Sequence, residues 1–165
     1  MMKSQQKGAG LLEVLVALLL LAVSILGFAA LQLRAVEATT EGTYRVQAIN
    51  LARDLAERIR SNRNGLAKYK SEITVAANQA NFTTNCYNTA CNANDLADFD
   101  VAQVKKNATN IGMTFNYLPC QGSNQLYCIY VAWNETSATN GSDTTACTAG
   151  NAYRTGSQCV ILEAY

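Results

Sequence analysis

The chain contains no histidine and has few charges, few prolines and no early cysteines. Of 165 residues, 15% are charged, and the net charge is +1. The missing histidine excludes every catalytic triad, general base and metal site that needs an imidazole. The balanced charge argues against a nucleic-acid partner, which would require a strongly basic surface. The only proline is Pro119, so long helices can form without interruption in the first two thirds of the chain.

A long apolar run near the N-terminus is the most distinctive feature. It extends from Val14 to Leu31 without a charge, and Glu13 lies at its start. Its length of about 18 residues is near the lower limit for a membrane-spanning helix. A carboxylate beside such a run is costly in hydrocarbon and therefore indicates a functional role. Lys3 and Lys7 precede the run and predict that this end stays in the cytoplasm.

Two simpler interpretations of this run remain open on the residues alone. A Sec signal peptide could be cut after Ala29 or Ala30, where small residues occur. A plain single-span anchor would explain the hydrophobicity. Neither interpretation explains the position of Glu13.

The apolar run continues into an amphipathic segment. Apolar side chains recur every three or four residues, which predicts one buried helix face; they are Tyr44, Ala48, Leu51, Leu55 and Ile59. Charges lie off this face and can pair four residues apart, as in Asp54 with Arg58 and Glu57 with Arg53. The sequence S-N-R-N-G predicts the helix end near Asn62, with Gly65 in a left-handed cap.

The six cysteines all follow residue 80 and predict disulfides in an oxidising compartment. Their spacing contains no C-x-x-C pair, so no metal site is expected. Because short loops close at the lowest entropic cost, we expect neighbours to pair: Cys86–Cys91, Cys120–Cys128 and Cys147–Cys159. A long-range alternative, such as Cys120 with Cys159, stays open.

The remaining segments predict an α+β fold. Residues 66–94 are polar and irregular, and Asn94 is the expected cap of a second helix that ends at Lys105 and Lys106. Acids at its start, at positions 95, 98 and 100, are expected to match the helix dipole. Its inner face is expected at Leu96, Phe99 and Gln103. Strands are expected at 111–118, 126–133 and 158–165, with a polar loop between the last two.

The whole plan resembles that of type IV pilin-like proteins, whose class III signal has a basic leader, a glycine, a glutamate and a long apolar helix. Here K-G-A-G-L-L-E places Glu13 fifth after Gly8. Within this family, E-V-L-V-A-L, L-G-F-A-A-L-Q, the amphipathic L-A-R-D-L-A-E-R-I-R-S-N-R and V-A-W-N-E are most similar to the PilV group of minor pilins. The resemblance implies a type IV pilin fold, with a long N-terminal helix packed on a small C-terminal antiparallel sheet.

The resemblance also implies a division of the chain and three site residues. Residues 1–8 form the leader peptide, 9–33 the transmembrane and assembly half of the helix, 34–64 its amphipathic half, and 65–165 the disulfide-bonded pilin head. Prepilin cleavage falls between Gly8 and Ala9, and the new amine of Ala9 is N-methylated. Glu13 pairs with the amine of an adjacent subunit and sets assembly register.

The implied function is that of a minor pilin, not an enzyme, which primes type IV pilus assembly and can occupy the tip in adhesion or motility. Its implied partners are other minor and major pilins, the prepilin peptidase and the inner-membrane assembly platform. It would cross the inner membrane once before assembly and then reach the pilus and cell surface, with its head periplasmic or extracellular. No cofactor is expected. The alternatives are an I-type minor pseudopilin of type II secretion and a membrane-anchored periplasmic protein of another kind.

Overall fold

A computed structural model describes residues 10–123 and 126–164 of the chain. The predicted cleavage residues Gly8 and Ala9 lie outside the described residues. The chain divides into two compact units at the boundary between Gly42 and Thr43. We call residues 1–42 the N-terminal unit and residues 43–165 the C-terminal unit.

The described part of the N-terminal unit is helical throughout. Helix α1 extends over Gly10–Ser61 and continues without a break through Gly27 and Gly42. Every residue from 10 to 40 is exposed. The hydroxyl groups of Ser24, Thr39 and Thr40 donate to carbonyls one turn earlier, so these polar side chains are satisfied within the helix itself.

The C-terminal unit begins where α1 acquires a buried face. Ala48, Leu51, Leu55 and Ile59 are buried, and Tyr44 is half-buried, as the spacing of these residues predicts. The ring of Tyr44 stacks on Trp133, with centroids 6.5 Å apart. The amphipathic part of α1 is therefore an integral part of the core of this unit.

Three shorter helices follow, and they differ from the predicted pattern. A 3-10 turn spans Arg63–Gly65, α2 spans Leu66–Thr74 and α3 spans Ala93–Asn110. Helix α2 lies in a stretch predicted to be irregular, and it buries Tyr69 and Ile73. The prediction failed because this helix is only nine residues long and owes its stability to tertiary packing.

Helix α3 begins two residues earlier than predicted. Its N-cap is Asn92, whose side-chain oxygen accepts hydrogen bonds from the backbone N–H groups of Asn94 and Asp95. The predicted cap, Asn94, is instead inside the helix. The buried face of α3 also differs from the predicted one. Leu96 and Gln103 are not in the core, and the residues that pack inward are Ala97, Val101, Val104 and Ala108.

A three-stranded antiparallel sheet has the order β1-β2-β6. The strands are β1, Met113–Pro119; β2, Tyr127–Trp133; and β6, Cys159–Glu163. Together with the long helix, this sheet confirms the predicted α+β class. Trp133 is 1% exposed and belongs to the core.

A second small sheet occupies the segment that the sequence predicted to be a polar loop. Its strands are β3, Ser137–Asn140; β4, Ala146–Ala149; and β5, Ala152–Tyr153. Strand β4 pairs with β3 in parallel and with β5 antiparallel. These strands are two to four residues long and rich in Ala, which is depleted in strands, so they lack the sequence signal that marks longer strands.

The six cysteines form three disulfides, which confirms that they are oxidised rather than free. The bonded pairs are neighbours in the chain: Cys86–Cys91, Cys120–Cys128 and Cys147–Cys159. The first closes a loop before α3, and the second closes the β1–β2 hairpin. The third connects β4 of the second sheet to β6 of the first.

Candidate functional site

The exposed apolar surface of α1 is a candidate functional surface. From Leu11 to Val36, the large apolar side chains are all between 49% and 75% exposed. A soluble monomer rarely exposes a contiguous apolar patch above a few hundred Å². Helix α1 contains a window long and apolar enough to cross a membrane, by length and composition. This surface therefore fits surroundings of lipid or of other apolar helices.

Glu13 lies in the first turn of the described helix. Its side chain is exposed, and it has no ion pair or hydrogen bond among the residues that the structure describes. The next charged residue along the helix is Arg34, 3.1 Å from Glu37. Glu13 is thus a single carboxylate at the edge of an uncharged helical surface. Its predicted pairing with a neighbouring subunit stays a prediction.

A partly buried polar network holds α1, α2 and α3 together. The Arg58 guanidinium donates to Asp54 at 3.0 Å on its own helix and to Asp100 at 2.6 Å on α3. The second oxygen of Asp100 accepts the hydroxyl of Tyr69 on α2. Burial, together with this hydrogen bond to Asp100, raises the pKa of Tyr69 above its ordinary value. Helix α1 contributes Arg58 and Asp54, and α2 and α3 contribute one residue each, so the network sets how the helices pack.

The predicted pairs on the outer face of α1 are partly correct. Asp54 pairs with Arg58 as expected. Glu57, however, lies 3.4 Å from Arg60, three residues later, rather than pairing with the predicted Arg53. Neighbours three and four residues away are both within reach on a helix surface, so spacing alone could not select between them.

The acids at the start of α3 have structural partners. Asp98 accepts hydrogen bonds from the backbone N–H and the hydroxyl of Thr83, and Asp100 belongs to the network above. Only Asp95 lies in the first turn, where the predicted dipole role applies. Among the described residues, no group of three or more potential ligands is placed to hold a metal ion. The spacing of the acids at positions 95, 98 and 100 could not show which of them are buried and which lies in the first turn of the helix.

Gly65 is required because other backbone and side-chain atoms lie close to its Cα. The prediction that it forms a left-handed cap is wrong. Its backbone angles are φ −90° and ψ 5°, which any residue can adopt. A Cβ there would lie 2.6 Å from the carbonyl oxygen of Ala93 and 2.6 Å from Nδ2 of Asn62. These two groups are joined by a hydrogen bond of 2.7 Å, so neither can move away freely.

We expect Gly65→Ala to destabilise the C-terminal unit by about 1–3 kcal/mol, because the added methyl group must displace the Asn62–Ala93 contact. Chemical denaturation of the full chain in detergent, followed by tryptophan fluorescence of Trp133, measures the change. Gly141→Ala is the matched control, since nothing lies within 4 Å of the position that its added methyl group would occupy. Equal stability of the two variants would contradict the close-approach explanation.

Comparison with protein-family models finds a match to part of this chain. The family model described as Tt1218-like, Type IV pilin Tt1218, matches residues 30–102. The matched stretch runs from the apolar part of α1 through the polar network and into α3. Comparisons with curated proteins and with solved structures give no match. The matched stretch is similar to that family, and the long N-terminal helix with the small antiparallel sheet is consistent with the type IV pilin fold.

Proposed function

We propose that the chain is a structural subunit of the type IV pilus, and specifically a minor pilin similar to the PilV group. The observation that carries the proposal is helix α1, which is exposed and apolar over its first half and anchors a folded unit with its second half. Such a helix can lie in a membrane before assembly and between other pilin helices afterwards. Burial of its apolar surface supplies the driving force for assembly.

The proposed processing follows from the leader. A prepilin peptidase cuts between Gly8 and Ala9, and the amine of Ala9 is then methylated. Glu13 pairs with that amine on a neighbouring subunit, and this pairing sets the axial position of one helix relative to the other. A buried ion pair contributes more to register than to net stability, so the pairing would select one arrangement in an otherwise featureless apolar bundle.

We propose that the subunit changes its location and its partners during assembly. The subunit spans the inner membrane once, with residues 43–165 in the periplasm, and contacts the assembly platform. It then joins other minor and major pilins, primes pilus assembly and reaches the cell surface near the tip. The uncharged surface of α1 supports the helix contacts, and the disulfide-closed loops support an exported location.

The processing step is tested by deleting the prepilin peptidase. We expect the protein to keep its eight-residue leader, 1–8, and to remain in the inner membrane without joining pili. Mass spectrometry of the N-terminus in wild-type and deletion strains measures cleavage and methylation. Gly8→Leu in the wild-type strain is a second route to the same block. Cleavage that is unchanged in the deletion strain, or a cut after Ala29 or Ala30, would contradict the proposal.

An I-type minor pseudopilin of type II secretion is the second candidate, because it shares the leader and the apolar helix. The two are separated by the phenotype of a deletion strain. Loss of surface pili with normal exoprotein secretion supports the pilin. Loss of secretion with normal pili supports the pseudopilin.

A further inference from the structure

An open groove of about 640 Å³ lies on the C-terminal unit, between α1 and the free edge of β6. Arg45, Ile49 and Arg53 line it from the helix. They are four residues apart and therefore follow one face of α1. Residues 159–162 of β6 line the opposite wall, and Arg154 contributes from the segment after β5. The groove thus combines three guanidinium groups with a strand edge.

The guanidinium groups in this groove are poorly compensated. Arg45 and Arg53 are exposed and have no ion pair among the residues that the structure describes. Arg154 donates through one terminal nitrogen to the carbonyl of Gly141 at 2.8 Å. Its buried Nε has no hydrogen-bond partner in the described part of the chain. Hydrogen bonds from the backbone N–H and the hydroxyl of Thr145 lower the pKa of Asp143, and the charge of Arg154 makes a smaller contribution. Asp143 and Arg154 form no ion pair among the residues that the structure describes.

Strand β6 leaves backbone groups free along this groove. It pairs only with β2 within the described sheets. The backbone N–H of Ala164 donates to the carbonyl of Tyr127, and that of Trp133 donates to the carbonyl of Gln158. Because hydrogen-bonded pairs alternate in an antiparallel ladder, the residues that bond to β2 are those opposite 127, 129, 131 and 133. The backbone groups of Cys159, Ile161 and Glu163 therefore face away from β2. An exposed strand edge of this kind can accept an added strand.

The spacing of the two helix arginines fits an extended ligand. Eight residues separate Arg45 from Arg53, which is about 12 Å along the helix axis. In an extended strand, residues four apart lie on the same face and are separated by about 13 Å. Two carboxylates at that spacing would each reach one guanidinium. Because the chain as a whole is nearly neutral, an isolated basic groove favours a short acidic segment over a long polyanion.

We propose that this groove binds an extended acidic segment of a neighbouring pilin subunit, added as a strand along β6 with its carboxylates on Arg45, Arg53 and Arg154. The choice of a pilin as the source of the segment rests on the proposed function. The strand pairing provides main-chain hydrogen bonds, and the charges select the acidic partner.

The proposal is tested with the purified full chain in neutral detergent and a fluorescent peptide of about eight Thr and Val residues that has Glu at two positions four apart. We expect binding, measured by fluorescence anisotropy, that weakens about tenfold when Gln replaces both Glu residues of the peptide. The double variant Arg45→Gln, Arg53→Gln should show a similar loss. Lys106→Gln, which removes one exposed charge from α3, should bind as the wild type does.

Strand addition has its own readout. N-methyl groups on alternate residues block one hydrogen-bonding edge of the peptide, and shifting them by one residue blocks the other edge. We expect one methylated peptide to lose binding and the shifted peptide to retain it. Equal affinity of both methylated peptides, or of the Glu and Gln peptides, would overturn the proposal. So would tighter binding of a short single-stranded DNA, or an equal effect of Lys106→Gln.

The peptide assay does not depend on pilus assembly. If peptide binding fails while the protein is cleaved and enters pili, the groove proposal fails alone. If the peptide binds in the expected manner while the leader is never removed, the proposed function fails and the acidic-segment site stands with another source.

Discussion

Glu13→Val should abolish incorporation of the protein into pili while leaving membrane insertion and leader cleavage intact. In the proposed assembly the variant leaves the amine of a neighbouring subunit buried without its partner. Removing one partner of a buried pair costs about 3–5 kcal/mol, which corresponds to a loss on the order of a hundredfold or more in incorporation. Immunoblots of sheared pili and of membrane fractions measure the two pools separately.

A matched control is available on the same helix. Glu37 is exposed and pairs with Arg34, so Glu37→Gln removes one carboxylate from α1 without removing the proposed subunit contact. We expect this variant to enter pili at the wild-type level, because an exposed ion pair contributes about 1 kcal/mol or less. Incorporation of Glu13→Val at the level of Glu37→Gln would show that Glu13 has no role in assembly.

Asp100→Ala should cause the largest loss of stability among single polar substitutions in the C-terminal unit. The change removes the acceptor for Tyr69 and the closer of the two carboxylates on Arg58. The buried Tyr69 hydroxyl then loses its charge-assisted hydrogen bond, and Arg58 keeps only Asp54. We expect a loss of about 2–3 kcal/mol and a fall in Tm of roughly 10 °C, measured by thermal denaturation followed by near-UV circular dichroism.

Asp54→Ala provides the contrast, because it removes the other carboxylate that binds Arg58. The side chain of Asp54 is 40% exposed, whereas that of Asp100 is 9% exposed. Water can replace the first carboxylate but not the second, so we expect Asp54→Ala to cost about 1 kcal/mol or less. Equal losses in the two variants would mean that burial does not decide the strength of this network.

These experiments separate two parts of the protein with different physical tasks. The N-terminal unit has an exposed apolar surface that lipid or other helices can cover. The C-terminal unit folds around its own core, which buries Leu55, Ile59 and Trp133. Glu13 variants test assembly without touching that core, and Asp100 variants test the core without touching the apolar helix.

Features that depend on local spacing could be predicted from the amino-acid sequence. The uncharged run after Glu13 and the apolar recurrence from Tyr44 to Ile59 predict exposed and buried parts of one helix, because a residue's helical face follows from its position modulo 3.6. The oxidation of the cysteines followed from their number and their position beyond the long apolar run. The expected pairs between neighbours, which have the shortest loops, are also those that the structure contains.

Features that depend on contacts between distant residues could not be predicted from the sequence and are seen only in the fold. Helix α2 and the second sheet are too short to leave a periodic signal, and each is stabilised by packing against other elements. Gly65 is required by the carbonyl of Ala93, 28 residues later, and Asp100 is required by Arg58, 42 residues earlier. Arg154 joins Arg45 and Arg53 in one groove only after β6 and α1 pack together. Side-chain identity shows which bonds a residue can make, but the fold determines which partners come within reach.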